Sequence, residues 1–494
     1  MDPWRPLTHL NKEDLQKLQN QKLHYFLNTY LYPFSPCYRK VFDQNKINPR
    51  LIRTVEDLPR IPFTSKRDFI STPQDEERFK AFILQPDKAK IRAHWPAAKL
   101  MALACTSILS GRQAVEEKLI REFKPIFMTF TTGTTNRPVP FLYSHHDIQN
   151  LYTSGSRMLS LFKIQPSENI LNVFPYAPHL AFWQVVFGAL ASNALALSTG
   201  GGKVMGTEGN IAAMMKMKPS VVLGVPSYIY HVMREAGEKG CRLHFIKKIV
   251  LGASRITPGF KAKLAEIVEA AGASQVSILG TYGFTEARSA WAECPTSLDI
   301  SSGYHLYPDK EIFEVVDPHT GEVKKEGEDG ELVYTAIEAR ASAVIRYRTG
   351  DFVKGGMTSE PCPHCGGTVP RISSDITRLS DIKDLQLSKI KGTMVNLSHF
   401  DALFSEILSV EEWQVEIKKK NDDKFEVDEL VVYACARQGA PPSQLEDQIR
   451  KKILLATEIA PNAVHVLTRE EMVKRLELET ANKEKRILDK RPKD

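Results

Sequence analysis

Three observations predict an α/β protein built as a large multi-layer N-terminal domain followed by a smaller α+β C-terminal domain. Short apolar runs alternate with helical patterns through the centre of the chain. Small hydroxylated or glycine-bearing turns end several of those runs, and open α/β sheets commonly hold ligands at such ends. Near Arg378 the pattern gives way to the charged stretch Leu379-Ser-Asp-Ile-Lys-Asp384, where a new compact region begins. A chain of 494 residues, 42% of them hydrophobic, favours two or more domains over one. We place these domains at 1–380 and 381–494.

Taken in order, residues 8–32 carry Leu10, Leu15, Leu18, Leu23, Phe26 and Leu27 at helical spacing, which predicts an N-terminal helical cap. Residues 75–125 form a charged and apolar insertion with Pro96, Gly111 and a helix-like stretch at 113–123; a lid, an oligomer contact and a helical decoration are all open to it. The longest apolar run, 180–198, is interrupted by Gln184 and Asn193 and followed by a glycine-rich turn. A buried helix entering the sheet is therefore favoured over a membrane span. Buried strands are expected at 169–174, 220–225, 248–251 and 275–279, with helices at 211–217 and 258–271. In the C-terminal region, 413–417 and 429–433 read as strands and 443–456 as a helix.

The chemistry is concentrated at four stations. The first, Met128-Thr-Phe-Thr-Thr-Gly-Thr-Thr-Asn-Arg-Pro138, offers hydroxyls and backbone N–H groups to phosphate oxygens, and Gly133 lets the backbone approach closely. Thr281-Tyr-Gly-Phe-Thr-Glu286 adds a ring able to stack on a purine and an oxygen pair, Thr285 and Glu286, able to hold Mg²⁺. Arg346-Tyr-Arg-Thr-Gly-Asp351 ends on a carboxylate that can accept from two ribose hydroxyls. Lys483 lies in Asn482-Lys-Glu-Lys-Arg-Ile-Leu-Asp489, and Lys485 competes with it. Gly200-Gly-Gly-Lys203 lacks the Ser/Thr that follows lysine in a P-loop, so a turn is expected there.

In this order the four stations resemble the adenylate-forming superfamily, and phenylacetate–CoA ligase and its relatives in particular. The resemblance covers most of the chain. Ser35-Pro-Cys-Tyr-Arg-Lys-Val-Phe-Asp43, Thr54-Val-Glu-Asp-Leu-Pro59 and Ile61-Pro-Phe-Thr-Ser-Lys66 are similar to that family's opening segment, and Thr320-Gly-Glu322 and Gly330-Glu-Leu-Val333 precede the third station as they do there. It implies activation of a carboxylic acid, aromatic in kind, by ATP and Mg²⁺, then transfer to coenzyme A. Alternatives are a stand-alone adenylating enzyme that loads a carrier protein or an amine, and a weakly active nucleotide-binding protein.

The same resemblance assigns Thr131, Thr132, Gly133, Thr134 and Thr135 to the departing phosphates, and Thr285 and Glu286 to the α-phosphate and magnesium. Gly252, Ala253 and Ser254 line the adenine pocket, Tyr282 with Gly283 meets the base, Asp351 holds the ribose, and Lys483 acts in catalysis. The C-terminal domain is implied to be mobile, swinging about a hinge near Ser380 and Asp381, with Arg378 as the candidate hinge arginine. Five residues depart from the family pattern: Asn136 and Arg137 replace Gly and Lys, Arg378-Leu379 stand where the hinge reads Gly-Arg, and Asn482 replaces Gly.

Residues 174–183 are the expected wall for the acyl group, with core packing and a satisfied His179 as the alternative. Cys362-Pro-His-Cys365 is a knuckle whose two thiolates can share one Zn²⁺. By resemblance Cys294 and His305 complete a structural Cys₃His site, His364 being the substitute ligand and buried free thiols the alternative.

Charge agrees with this reading. A net charge of +7 without a basic run interleaved with aromatics does not imply nucleic acid, and a small positive excess suits anionic nucleotides. No apolar signal core follows Met1-Asp-Pro-Trp-Arg5, and seven cysteines in so long a chain form no disulfide framework, so a cytoplasmic protein without stable membrane insertion is expected.

Overall fold

The computed structural model describes residues 3–72, 74–131, 138–379, 388–390, 393–395, 399–420, 428–437, 439–457, 459–480 and 484–491. An antiparallel ribbon, β1 (Pro125–Phe130) and β2 (Pro140–Ser144), flanks the first station. β3 (Ile170–Asn172), β4 (Ala196–Ser198), β5 (Val221–Gly224), β6 (Lys248–Leu251) and β7 (Ser277–Phe284) then pair in parallel. Helices Leu180–Ala191, Gly202–Met217, Pro226–Glu238 and Pro258–Ala270 connect them. β5, apolar throughout, and β6, apolar after Lys248, read as expected for strands covered on both faces.

β7 is long enough to leave the parallel sheet and continue as an antiparallel pair with β8 (Ser289–Ala292), which is followed by β9 (Tyr304–His305). Next come β10 (Glu311–Val316), β11 (Gly330–Ala336) and β12 (Tyr347–Val353), then β13 (Met357–Thr358), β14 (Arg371–Ile372) and β15 (Ile376–Arg378). The large sheet has the order β13-β14-β9-β8-β7-β6-β5-β3-β4, while β10-β11-β12-β15 form a separate antiparallel sheet. The N-terminal segment locks onto the latter, since Thr64 N–H donates to Arg346 O (3.0 Å) and Arg348 N–H to Thr64 O (2.8 Å).

The C-terminal part has its own core around Phe400, Phe404, Trp413, Val415, Ile417, Leu430, Val432 and Ile449. A ribbon of β16 (Ser388–Ile390) and β17 (Thr393–Val395) precedes a sheet of β18 (Val410–Lys419), β19 (Asp428–Ala436), β20 (Ala463–Leu467) and β21 (Ile487–Asp489), with the helix Pro442–Thr457 between β19 and β20. This part docks on helices Pro226–Glu238 and Pro258–Ala270 through charge. Buried Arg234 pairs with Glu411, and Arg469 reaches Glu411 (3.2 Å), Glu235 (3.3 Å) and Glu238. Lys263 Nζ donates to the carbonyls of Phe404 (3.4 Å), Ile407 (3.3 Å) and Val410 (3.3 Å), and burial lowers its pKa to about 8.

Three segments differ from the sequence reading. The cap at 8–32 is the helix Lys12–Phe26, which continues through a π-turn, Leu27–Leu31, into the short helix Tyr32–Phe34. The helix-like 113–123 is the second arm of Ala97–Phe123, which breaks at Gly111 with φ of 84°. Its base is clamped by Lys99 and Arg340, each 3.1 Å from Glu122, and its turn is exposed. The run 180–198 does begin as a helix packed on the core, with buried Gln184 donating to Ser154 Oγ (3.3 Å). It ends at Ala191, however, and Leu190, Leu195 and Leu197 are exposed near the edge strand β4. Among the described residues no helix is long and apolar enough to cross a membrane.

Candidate active site

The second and third stations meet through two crossed hydrogen bonds. The Tyr282 hydroxyl donates to Asp351 Oδ2 (2.7 Å), and the Tyr347 hydroxyl donates to Glu286 Oε1 (2.7 Å). Burial first, then the adjacent carboxylate, holds both phenols well above the ordinary tyrosine value, so each remains a donor. Local backbone explains how Asp351 is aimed. The β11–β12 register slips between Glu331 and Val333, and Gly350 takes a φ of 72° that a side chain would resist. Arg378, opposite Asp351 on β15, sits 3.2 Å from its Oδ1 and donates to Thr349 O (3.0 Å). Asp351 is the main cause that raises the Arg378 pKa.

The root of the first station joins the same site. Phe130 O accepts from the Thr285 hydroxyl (3.4 Å) and lies 2.9 Å from His179 Nδ1, while Phe130 N–H donates to Pro178 O (2.7 Å). One peptide thus links the expected phosphate loop, the expected acyl wall and the Thr285–Glu286 pair. Thr131 is buried, and its Oγ1 accepts from Val139 N–H (3.1 Å). Thr132, Gly133, Thr134, Thr135, Asn136 and Arg137 lie outside the described residues.

The end of β6 supplies the remaining wall. Thr281 Oγ1 donates to Leu251 O (2.9 Å), and a Cβ on Gly252 would come within 2.3 Å of that hydroxyl and 3.3 Å of Phe174. Glycine is required by this close approach. Ala253 takes φ of 69°, a strained conformation for a residue with Cβ, and Ser254 Oγ is buried without a hydrogen-bond partner among the described residues. Gly283 is exposed beside Tyr282.

Lys483, Asn482, Ser380 and Asp381 lie outside the described residues. The described neighbours of Lys483 meet the carboxyl side of the parallel strands: Thr207 Oγ1 donates to Glu479 Oε1 (2.6 Å), and Ser227 to Glu484. They border a crevice shared with Pro175, Gly202 and Lys203. Lys485 is exposed, with its backbone carbonyl accepting from Gln414 (2.7 Å).

Residues 48–337, more than half of the chain, match the family described as AMP-binding enzyme. The chain belongs to that family. Among curated proteins it is similar to the phenylacetate–coenzyme A ligase of Thermus thermophilus, at 27% identity over 393 residues, covering 79% of this chain and 76% of that one. The Escherichia coli phenylacetate–coenzyme A ligase is 25% identical over 357 residues, 71% of this chain and 69% of that one. A crystal structure of 2-hydroxyisobutyryl-CoA ligase in the postadenylation state shares the fold with a TM-score of 0.74 at 18% identity, covering 99% of this chain and 92% of that one. The expected architecture, a large α/β N-terminal part with a smaller C-terminal part, is therefore the observed one.

A second cluster in this AMP-binding enzyme unites Cys294, His305, Cys362 and Cys365, with all ligand atoms within 4.8 Å of one another. Cys294 and Cys362 sulfurs are 3.7 Å apart, and Cys365 Sγ lies 3.3 Å from His305 Nε2. A disulfide would need about 2.05 Å. A tetrahedral site with Zn–S bonds of about 2.3 Å requires an S···S edge of about 3.8 Å, which fits. His305 Nδ1 sits 3.3 Å from Ala292 O, an outer partner suited to fixing the ring with Nε2 turned inward. His364 is exposed and outside the cluster.

Sequence reasoning missed Tyr347, although it stands inside the quoted third station; alternate positions of β12 put it on the face of Asp351, but period two says nothing of its bond to Glu286. It also missed Trp291 and Tyr304, whose rings lie 5.7 and 5.9 Å from Tyr282. No motif marks either one, because their role depends on cross-strand register.

Proposed function

We propose that this AMP-binding enzyme activates an aromatic carboxylic acid with ATP and passes the acyl group to coenzyme A. In the first step a carboxylate oxygen attacks the α-phosphorus and the bond to the β-phosphate breaks, giving acyl adenylate and pyrophosphate. In the second the thiol sulfur attacks the acyl carbon, the bond to AMP breaks, and the thiol proton leaves to solvent. The crossed pairs Tyr282–Asp351 and Tyr347–Glu286 carry the reading, because they bring side by side the ring, the ribose acceptor and the magnesium carboxylate that it requires.

Asp351 accepts from the ribose hydroxyls, Tyr282 and Gly283 meet the base, and Gly252, Ala253 and Ser254 close its edge, Ser254 having a hydroxyl to give. Thr131 through Thr135 hold the departing phosphates by hydroxyl and N–H groups. Thr285 contacts the α-phosphate, and Glu286 would hold Mg²⁺, which neutralises charge on the phosphates when bound. Lys483 donates to the carboxylate and bridging oxygen as charge develops. Phe182, 5.2 Å from Tyr176 and 5.3 Å from Trp183 between ring centroids, lends the acyl wall its aromatic character. The part beginning at 381 moves as a unit between the two steps, with Arg378 beside its hinge. A cytoplasmic setting fits seven cysteines of which none forms a disulfide.

Acid-dependent exchange of labelled pyrophosphate into ATP tests the first step. Exchange with aromatic acids is expected, with the acid consumed once coenzyme A is added. Exchange without consumption moves the acceptor to a carrier thiol or an amine; no exchange with any acid rejects the reading.

Cys294, His305, Cys362 and Cys365 would hold one structural Zn²⁺. Elemental analysis is expected to find one zinc per chain, and Cys362→Ser to lose it together with several degrees of melting temperature, as befits a closed structural site. A stable wild-type protein without metal rejects the assignment.

A further inference from the structure

The two faces of the β7–β8–β9 strands carry different groups. Pairing of Thr281 with Ala292 and of Ala292 with His305 puts Gly280, Tyr282, Trp291, Glu293 and Tyr304 on one face, and Cys294 and His305 on the other. On the first face, Trp291 and Tyr304 both lie at 29° to the ring of Tyr282. Glu293 accepts from Gly280 N–H and from Lys261 Nζ (2.5 Å) through Oε1, and from the Ser301 hydroxyl (2.5 Å) through Oε2. Glu293 therefore fixes the backbone two residues before Tyr282, and Tyr304 backs its ring. Each is the chain neighbour of a cluster ligand, Glu293 of Cys294 and Tyr304 of His305.

β9 is two residues long, with a single register pair to β8 and two to β14. So short a strand cannot hold its register by backbone bonds alone. The cluster ties the end of β8, β9 and the 362–365 turn at one point, with His305 and Cys365 3.3 Å apart.

We propose that Tyr304 and Glu293 are positioning residues for the nucleotide, holding the Tyr282 segment in its base-stacking pose, and that the Cys₃His cluster keeps their strands in register. This rests on the base-stacking role given to Tyr282 above. A ring held in place before binding loses no rotamer freedom on contact with the purine, so the effect falls on nucleotide affinity.

The experiment begins with wild-type pyrophosphate exchange, whose absence would defeat the proposed function and leave nothing for Tyr304 to position. With exchange established, Tyr304→Ala is expected to raise KM for ATP about five- to tenfold, the range of one lost aromatic pair. KM for the acid and kcat should stay within about twofold, and zinc content should be unchanged. Tyr304→Phe should restore the wild-type value. Titrating ATP against tryptophan fluorescence, without turnover, should give the same rise in Kd for Tyr304→Ala and for wild type stripped of metal by a chelator. An ATP Kd within twofold of wild type in Tyr304→Ala, or equal losses for ATP and acid, overturns the positioning role. Unchanged Kd after metal removal overturns the part given to the cluster. Should Tyr304→Ala not fold, Tyr304→Leu keeps most of the volume without the ring face and carries the same expectation.

Discussion

Lys483→Ala should lower pyrophosphate exchange by about 10²- to 10³-fold, the usual cost of removing one charged donor aimed at a developing oxyanion. The acid is a weak nucleophile and the α-phosphoryl group carries negative charge, so the first step depends on a cation held where the two oxygens meet. Thr207–Glu479 and Ser227–Glu484 bring the described residues on either side of Lys483 in the chain to the carboxyl side of β3 and β5, beside Pro175 of the expected acyl wall. Transfer of the acyl group from a supplied adenylate to coenzyme A should stay within about threefold of wild type, because an adenylate already carries its leaving group. Lys483→Arg should rescue little, since a planar guanidinium does not replace a compact ammonium at one point. Lys485→Ala, at the exposed competing position, should keep near-normal exchange. If both half-reactions fall together in Lys483→Ala, or if Lys485→Ala shows the loss instead, the assignment is wrong.

The parts of this site legible in the sequence are those fixed by local chemistry. The run at 221–224 is apolar throughout and that at 248–251 is apolar after Lys248, so their identity as buried strands follows from composition. The position of Gly252 at the end of the 248–251 run is readable too, whereas the close approach that excludes a Cβ there, and the φ of 72° at Gly350, come only with the fold. The parts that escaped depend on register. Nothing near Tyr347 indicates that its hydroxyl reaches Glu286, 61 positions earlier; that follows only when β12 bulges at Gly350 and crosses the end of β7. The bond from Arg234 to Glu411 spans two cores and has no sequence signature either. Length misled at 180–198, where a single apolar run holds both a helix and an edge strand because Asn193, with φ of 53°, turns the chain between them.

Register also explains why a buried acid stands behind the Trp291–Tyr282 ring pair, and this gives a large pH-dependent effect. Glu311 is 2% exposed; its Oε1 accepts from Trp291 Nε1 (2.5 Å) and Tyr307 N–H (2.9 Å), and Trp291 packs against Tyr282. Burial, acting against these two donors, pushes the carboxyl from its ordinary 4.5 up to about 8, with Asp309 adding to the rise and Lys310 opposing it. The folded state therefore binds this proton more tightly than the unfolded chain does. Its contribution to stability is complete below the unfolded pKa and is lost as pH rises through the folded one, a span of roughly 5 kcal/mol at one unit per 1.36 kcal/mol. Glu311→Gln retains an acceptor for both N–H groups but cannot ionise. Relative to wild type, the variant should gain stability between pH 5 and pH 8 by about 3 to 5 kcal/mol, read from urea midpoints at constant m. Lys310, whose pKa burial lowers to about 8, contributes in the opposite sense only above that pH, so the window separates the two groups. A difference between variant and wild type that is the same at both pH values would show that Glu311 is charged in the folded protein, and that Trp291 is held by a carboxylate instead of a carboxylic acid.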